Sequence, residues 1–244
     1  GINRLELSNE NFSNLYHIAG DKNSLPVNSV TILYKDENEG LWAGSVRGGV
    51  FNIKESYIRT YKDCPLGYIN GLSEKSVTSL FEEPNGRLWI GTWDSEMVLE
   101  STDVYYGTDG GGINLYEPQT GDFKHFYSTY GDKVVSIAPI SEKELIVSVY
   151  TKGLFLFDTH TGAYRPFLII NDSINFRQCF YGYIPRAHRV TKNKIYILSK
   201  DIWIYDINNR KFSPIKTDKN YQLPTSVMAY SDEKMSLTMS GNKV

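Results

Sequence analysis

The sequence predicts an all-β protein made of repeated units of four short antiparallel strands. An apolar element, LWIGT at Leu88–Thr92, is followed by a glycine-rich element, DGGGINLY at Asp109–Tyr116, and both recur in LWAGSVRGGVFNI at Leu41–Ile53. Val30 and Val77 begin matching strands at a spacing of 47 residues. The apolar residues alternate or form short β-branched and aromatic blocks, which favours strands over helices. Four-stranded repeats of about 40–50 residues indicate a β-propeller.

Composition is that of an ordinary globular protein with an excess of aromatic residues. The 244 residues are 41% hydrophobic, 22% charged and 14% aromatic, and the net charge of −2 predicts neither nucleic acid nor an anionic membrane as a partner. No apolar run approaches the roughly 20 residues of a membrane span. Cys64 and Cys179 lie in different repeats and form no metal-ligand motif. Most aromatic residues are therefore expected to pack between sheets.

About five blades can be assigned along the chain. The predicted boundaries are 1–20 (second half of a blade), 28–65, 75–128 with an insert at 93–108, 132–171, 177–217, and 226–244 (first half of a blade). The two half-blades could join and close a ring, or the chain could be part of a larger ring. The opening sequence GINRLEL predicts that further sequence precedes Gly1. A sandwich of short strands is disfavoured because it needs no repeated LWxGS/T and GG elements.

We found no catalytic or metal-binding constellation, and we expect no enzyme activity and no cofactor. The four histidines lack metal-ligand spacing and are interpreted as strand-edge or surface residues; they are His17, His125, His160 and His188. The run GTDGGG at Gly107–Gly112 lacks the helix and lysine of a phosphate loop. The insert carries four carboxylates, which are interpreted as solvated rather than as a Ca²⁺ or hydrolase site: Asp94, Glu96, Glu100 and Asp103.

Binding at one rim of the propeller is the better prediction. In a four-stranded blade, the loop between the second and third strands lies at the same end as the connection between blades. The loops 45–49, 93–109 and 150–153 should therefore surround one mouth. Their candidate ligand-binding residues are Arg47, Trp93, Tyr105, Tyr106, Asp109, Tyr150 and Lys152. Aromatic faces and charged side chains together suit an oligosaccharide, whereas Trp42 and Trp89 are expected to pack inside blades.

Several segments resemble the repeat of the two-component regulator propeller family. They are SVTSLFEEPNGRLWIGT, DGGGINLYEPQTGDFKHFY, SVTILYKDENEGLWAGS, GLFLFDTHTGAYRPF and GINRLELSNENFSNLYH, all within residues 1–167. The resemblance implies a seven-bladed ring and the periplasmic sensor region of a bacterial hybrid two-component system. It further implies an oligosaccharide signal and control of a histidine kinase outside this chain. Residues 168–244 depart from the pattern, since LWIGT has become IYILS and then SLTMS.

Three functions remain open at this point. The first is a non-catalytic sensor that binds a small ligand, and the second is a propeller-fold polysaccharide lyase or glycosidase. The third is a scaffold that binds only proteins. We also expect a homodimer or an association with further blades, because a half-blade leaves a strand edge and an apolar face unpaired.

Overall fold

The computed structural model describes most of the chain, and its described parts consist of strands and connecting turns. The described residues are 1–6, 8, 10–36, 40–54, 57–62, 70–93, 111–126, 133–167, 170–171, 174–175, 185–189, 191–199, 201–215, 224–229 and 235–239. The chain divides into two compact units, Gly1–Val134 and Val135–Val244. Residues 94–110, which include the predicted insert at 93–108 except for Trp93, lie outside the described part.

The first unit contains one two-stranded and two four-stranded antiparallel sheets. The two-stranded sheet joins β1 (Ile2–Glu6) and β2 (Asn11–Leu15). The next sheet has the order β3 (Val30–Lys35), β4 (Leu41–Ser45), β5 (Val50–Lys54), β6 (Tyr57–Tyr61). The third has the order β7 (Val77–Glu82), β8 (Leu88–Trp93), β9 (Gly111–Glu117), β10 (Asp122–Phe126). Each four-stranded sheet is a meander whose strands pair in sequence order.

The second unit repeats the four-stranded meander twice. One sheet has the order β11 (Val134–Pro139), β12 (Glu144–Val149), β13 (Gly153–Asp158), β14 (Tyr164–Pro166). A short hairpin of β15 (Ile170–Asn171) and β16 (Ile174–Asn175) follows. The other sheet has the order β17 (Arg186–Arg189), β18 (Lys194–Leu198), β19 (Ile202–Asp206), β20 (Lys211–Pro214). The last pair is β21 (Pro224–Ala229) with β22 (Met235–Met239).

Central strands carry the most continuous apolar burial, as expected for sheets covered on both faces. In β8, β9 and β12 nearly every residue is buried, whereas the outer strands alternate between buried and exposed positions. Trp89 is fully buried and Trp42 is 7% exposed, which confirms their predicted packing role. Tyr116, Phe157 and Phe212 are also buried, whereas Phe12 and Tyr57 are exposed, so the predicted packing between sheets applies to part of the aromatic residues.

Neighbouring sheets are joined by side-chain hydrogen bonds between their first strands. In the first unit, Thr31 Oγ1 donates to the carbonyl oxygen of Val77 at 2.7 Å. In the second unit, the amide of Ala187 donates to Ser136 Oγ at 2.8 Å. Thr31 and Ser136 occupy matching positions in the repeat, so a hydroxyl at this position links successive sheets. The all-β fold of repeated four-stranded antiparallel sheets agrees with the sequence prediction.

Candidate functional site

The turn between β4 and β5 presents Arg47 at one end of its sheet. Ser45 closes the turn, because its amide and its hydroxyl both donate to the carbonyl of Gly49, at 3.1 and 2.9 Å. Arg47 has a positive φ of 60° and is exposed to solvent. Gly49 has a φ of 82°, and a Cβ at this position would overlap the carbonyl group of Tyr61. Gly49 is therefore required for the turn that displays Arg47.

The segment that precedes β7 packs against this turn. The amide of Gly49 donates to the carbonyl of Lys75 at 2.8 Å, and the amide of Arg47 donates to Ser76 Oγ at 3.3 Å. The amide of Trp93, at the end of β8, donates to the carbonyl of Ser76 at 2.9 Å. Arg47 and Trp93 thus lie on two sides of Ser76, at the same end of neighbouring sheets. Trp93 is half-buried.

A buried polar network fixes the position of Ser73 in the same segment. Ser73 Oγ lies 3.1 Å from Thr92 Oγ1 and donates to the carbonyl of Gly111 at 3.0 Å. The amide of Ser73 donates to Asn114 Oδ1 at 2.8 Å, and Asn114 Nδ2 donates to the carbonyl of Ile90 at 3.3 Å. Buried amide and hydroxyl groups that are satisfied in this way rigidify their surroundings. Ser73 consequently bonds the last residues of β8 and the first residues of β9, between which the insert runs.

Sequence reasoning missed Ser73, Ser76 and Asn114. A signal existed, because serine precedes the first strand of both sheets in SVT, at Ser29 and at Ser76. In each sheet the carbonyl of that serine accepts a hydrogen bond from an amide at the end of the second strand. The amide of Val46 donates to Ser29 and the amide of Trp93 donates to Ser76, both at 2.9 Å. The repeated serine therefore marks the segment that supports the rim.

The other predicted site residues fall into two groups. Tyr105, Tyr106 and Asp109 lie outside the described residues. Tyr150 and Lys152 lie in the turn between β12 and β13 of the second unit; Tyr150 is half-buried and Lys152 is exposed. This turn has the same backbone form as the Arg47 turn, with positive φ at Thr151 (58°) and at Gly153 (100°). The geometry brings Arg47 and Trp93 together within the first unit, and the site as a whole stays a prediction.

Among the described residues, the histidines belong to no group of three or more His, Cys, Asp or Glu side chains that could hold a metal ion. The rings of His17 and His125 contact backbone carbonyls of Leu25 (2.7 Å) and Gly71 (2.8 Å). His188 is different, because its Nε2 is buried without a hydrogen-bond partner. Burial, with a smaller contribution from nearby Arg186, lowers the pKa of His188 to about 4 from an ordinary value of 6.5. His188 is therefore a half-buried residue that is neutral near pH 7.

The class of the fold is that of a β-propeller, since solved propeller structures superpose on nearly the whole chain. The chain is similar to the extracellular domains of two proteins of B. thetaiotaomicron assigned to hybrid two-component systems, BT3049 and BT4673. The BT3049 match has 15% identity and a TM-score of 0.67, and covers 93% of this chain and 28% of that chain. The BT4673 match has 16% identity and a TM-score of 0.61, and covers 97% and 30%. This chain therefore spans less than a third of each of those domains.

An enzyme with the same fold is similar to a comparable degree. Virginiamycin B lyase from Staphylococcus aureus matches at 13% identity with a TM-score of 0.64, over 97% of this chain and 69% of that chain. Similarities at these identities establish the fold alone. No curated protein sequence is a significant match to the chain.

The match to a sequence family covers a shorter part of the chain than the structural matches do. Residues 71–94 match the family described as "Two component regulator propeller". These residues run from the segment that holds Ser73 and Ser76, through β7, to the end of β8. The predicted resemblance is confirmed for this repeat. A search of the described residues for membrane-spanning helices found no helix of sufficient length and hydrophobicity.

Proposed function

We propose that this chain is part of a non-catalytic, extracytoplasmic sensor propeller of a two-component signalling protein. The match of residues 71–94 to the two-component regulator propeller family carries the proposal. The similarity to extracellular domains assigned to hybrid two-component systems supports it, because those domains share the propeller fold of this chain. In this proposal the propeller binds a ligand and the histidine kinase lies outside the chain, at the other side of a membrane.

The proposed ligand is an oligosaccharide bound at the rim that carries Arg47 and Trp93. Trp93 is half-buried, and an indole is an aromatic surface on which the C–H groups of a sugar ring can stack. The exposed guanidinium of Arg47 offers donors in a fixed fork for hydroxyl or carboxylate oxygens. The backbone amides of both residues are anchored on Ser76, so less backbone entropy is lost when a ligand binds their side chains.

Isothermal titration calorimetry with a panel of oligosaccharides tests this proposal. The unmodified chain is expected to bind at least one sugar without converting it, and Arg47→Ala should weaken that binding about tenfold or more. Arg210→Ala is a matched control, because Arg210 is also an exposed arginine with a positive φ, 50°, in the turn between β19 and β20. Equal losses in both variants, or no binding by any sugar, would contradict the proposed site.

A lyase or another enzyme is the second candidate, since the fold also occurs in virginiamycin B lyase. Product analysis in the same titrations separates the candidates: new reducing ends or unsaturated sugars would establish turnover and remove the sensor proposal. Among the described residues, no group of three or more histidine, cysteine or acidic side chains is positioned to hold a metal ion.

A further inference from the structure

One buried position on the third strand is aromatic in three of the described four-stranded sheets and polar in the fourth. The residue opposite the middle of the second strand is Phe51 in β5, Phe155 in β13 and Trp203 in β19, whereas it is Asn114 in β9. Phe51 and Asn114 are both fully buried, and Phe155 and Trp203 nearly so. The four-stranded meander therefore forms without a polar side chain at this position, and Asn114 needs another explanation.

The segments that precede β3 and β7 occupy matching places and can be compared residue by residue. They read LPVNSV and LSEKSV, and they begin with Leu25 and Leu72, which are both almost fully buried. The amide of Leu25 donates to the carbonyl of Tyr16 at 3.2 Å, and the amide of Leu72 donates to the carbonyl of Lys62 at 2.9 Å. Tyr16 and Lys62 each directly follow a strand, β2 and β6. The two leucines are thus anchored in the same way.

The residue after each leucine changes in step with the residue on the third strand. It is Pro26 before β3 and Ser73 before β7. The amide of Ser73 donates to Asn114 Oδ1 at 2.8 Å, a bond that Pro26 cannot make because proline has no amide hydrogen. The β3–β6 sheet therefore combines Pro26 with Phe51, and the β7–β10 sheet combines Ser73 with Asn114. Both positions are apolar in one sheet and polar in the other, and the polar pair is bonded to itself.

The polar pair lies at the ends of β8 and β9, which no short turn joins. The connections between second and third strands span residues 46–49, 150–152 and 199–201 in the other three sheets and residues 94–110 in this one. Ser73 Oγ lies 3.1 Å from Thr92 Oγ1 and donates to the carbonyl of Gly111 at 3.0 Å. Asn114 Nδ2 also donates to Thr92 Oγ1, at 3.3 Å. We refer to Ser73, Thr92 and Asn114 as the strand-end network, since their bonds tie the end of β8 to the start of β9.

The strand-end network specifies the geometry of the strand ends more narrowly than a ring would. A buried amide is unfavourable unless its polar atoms are hydrogen-bonded, and both polar atoms of Asn114 are. A buried network with satisfied polar atoms favours one arrangement, whereas apolar contacts tolerate substitution and small shifts. Trp93 follows Thr92 directly and pairs with Gly111 in the ladder. The backbone held by the network is therefore that of Trp93.

We propose that Ser73 and Asn114 are positioning residues of the ligand site at the Arg47–Trp93 rim. They act through Thr92 and Gly111, which hold the backbone of Trp93, and they do not themselves touch the ligand. A site fixed before binding loses less conformational entropy when the ligand binds. The part in ligand binding rests on the proposed function, whereas the restraint on the backbone of Trp93 does not, and the two are tested separately.

Hydrogen exchange at single amides, followed by NMR without any ligand, tests the restraint. Ser73→Ala removes the bonds from Ser73 Oγ, and exchange of the Trp93 amide should accelerate about fivefold, as the loss of one hydrogen bond implies. Exchange in the middle of β8 and β9 should not change. Ser79→Ala is the matched control, because Ser79 is a buried serine of the same sheet whose hydroxyl has no hydrogen-bond partner among the described residues.

Two results of the exchange measurement would overturn the restraint. One is unchanged exchange of the Trp93 amide in Ser73→Ala. The other is an equal acceleration along the whole of β8 and β9, which a general loss of stability would produce. Ser73→Thr keeps a hydroxyl at this position and should restore the slow exchange of the Trp93 amide.

Calorimetry with the same panel of oligosaccharides tests the part in binding. Ser73→Ala should weaken the binding of a sugar by about tenfold, whereas Ser79→Ala should not. Ser73→Pro combined with Asn114→Phe gives this sheet the residues of the β3–β6 sheet, and it should weaken binding without lowering the thermal unfolding temperature. Unchanged affinity in Ser73→Ala would overturn the positioning role. If the unmodified chain binds no sugar, the proposed function and the part in binding both fail, and the exchange measurement alone decides the restraint.

Discussion

Each unit contains a group of three packed aromatic rings, which we call its junction triad: Tyr61, Tyr116 and Phe123 in the first unit, and Phe167, Tyr205 and Phe212 in the second. The rings of the two triads occupy the same repeat positions but differ in their chemistry. In the first unit the hydroxyl groups of Tyr61 and Tyr116 lie 2.8 Å apart, and Trp42 packs beside them with its ring centroid 5.9 Å from Tyr61. In the second unit Phe167 replaces the first tyrosine, and no hydroxyl pair can form. The repeat thus preserves the volume and position of the covering ring, whereas its polarity varies.

The residue that covers the ring pair can titrate in the first unit but not in the second. Burial and the hydrogen bond with Tyr116 raise the pKa of Tyr61, and Arg59, whose guanidinium lies 5.1 Å from the ring centroid, partly opposes this. Phe167 has no titratable group. Apolar burial is therefore the shared source of stability at both junctions, and the hydroxyl pair is an addition in the first unit alone.

Removal of the shared apolar contact should have the largest effect. Phe123→Ala and Phe212→Ala each delete a buried ring from a junction triad, and each should destabilise its unit by about 3–5 kcal/mol. Urea unfolding followed by tryptophan fluorescence measures the change. A loss below about 1 kcal/mol in one variant, with a large loss in the other, would show that the two junctions are not equivalent.

Two glycines at matching turn positions, one in each unit, should differ in how much stability their replacement by alanine costs. Gly49→Ala combines a positive φ with overlap of the new Cβ and the Tyr61 carbonyl group, and should cost about 3 kcal/mol. Gly153→Ala has a positive φ of 100° but no atom within 4 Å of the new Cβ, and should cost about 1–2 kcal/mol. The difference between the two unfolding free energies checks the close approach at Gly49, and equal losses would refute it.

Acid should destabilise the second unit through His188. The matching positions in the first unit, opposite the second-strand residues Trp42 and Trp89, are Tyr34 and Phe81, which do not gain a proton in acid. Because the folded pKa of His188 is about 4 and lies below its ordinary value of 6.5, the unfolded chain binds more protons in this window. Stability should therefore fall as pH decreases from 6.5 to 4, by on the order of 3 kcal/mol.

His188→Phe places an aromatic residue without a basic group at this position, as in the first unit. It should remove this part of the pH dependence. The exposed residue His160 provides the control, since His160→Gln should leave the acid sensitivity unchanged. Thermal unfolding at a series of pH values measures both variants. The interpretation fails if His188→Phe retains the full loss of stability between pH 6.5 and pH 4.

The smallest expected effect concerns the hydroxyl pair. Tyr61→Phe leaves the buried Tyr116 hydroxyl without this partner and should cost about 1 kcal/mol, whereas Tyr61→Phe combined with Tyr116→Phe should cost less. Denaturant unfolding of the single and double variants forms a cycle. Equal effects of the two would show that the hydroxyl pair adds nothing to the first junction.

The fold could be predicted from the sequence because each repeat contains apolar segments of strand length, such as LWIGT. The prediction was weakest in residues 168–244, where IYILS replaces LWIGT. The structure shows why packing survives there: Tyr196 occupies the position of Trp42, and Phe212 that of Phe123. Packing needs a large apolar residue at each position rather than a particular one.

Much less of the candidate site could be predicted. Loop length and strand order placed Arg47 and Trp93 at one end of their sheets, but the serines that anchor them were not identified. Ser73 and Ser76 act through backbone carbonyls, amides and hydroxyls, and such contacts leave almost no mark on residue type. The predicted site residues Tyr105, Tyr106 and Asp109 lie outside the described residues.

Hydrogen–deuterium exchange with and without a bound oligosaccharide tests the central claim most directly, since it locates the ligand on the propeller. We expect slower exchange at residues 45–49 and 73–76 and at Trp93, where the amides of Arg47, Gly49 and Trp93 bond to the supporting segment. We expect no change in the turn at residues 207–210, which carries the control residue Arg210. Protection confined to that turn would contradict a ligand site at the Arg47–Trp93 rim.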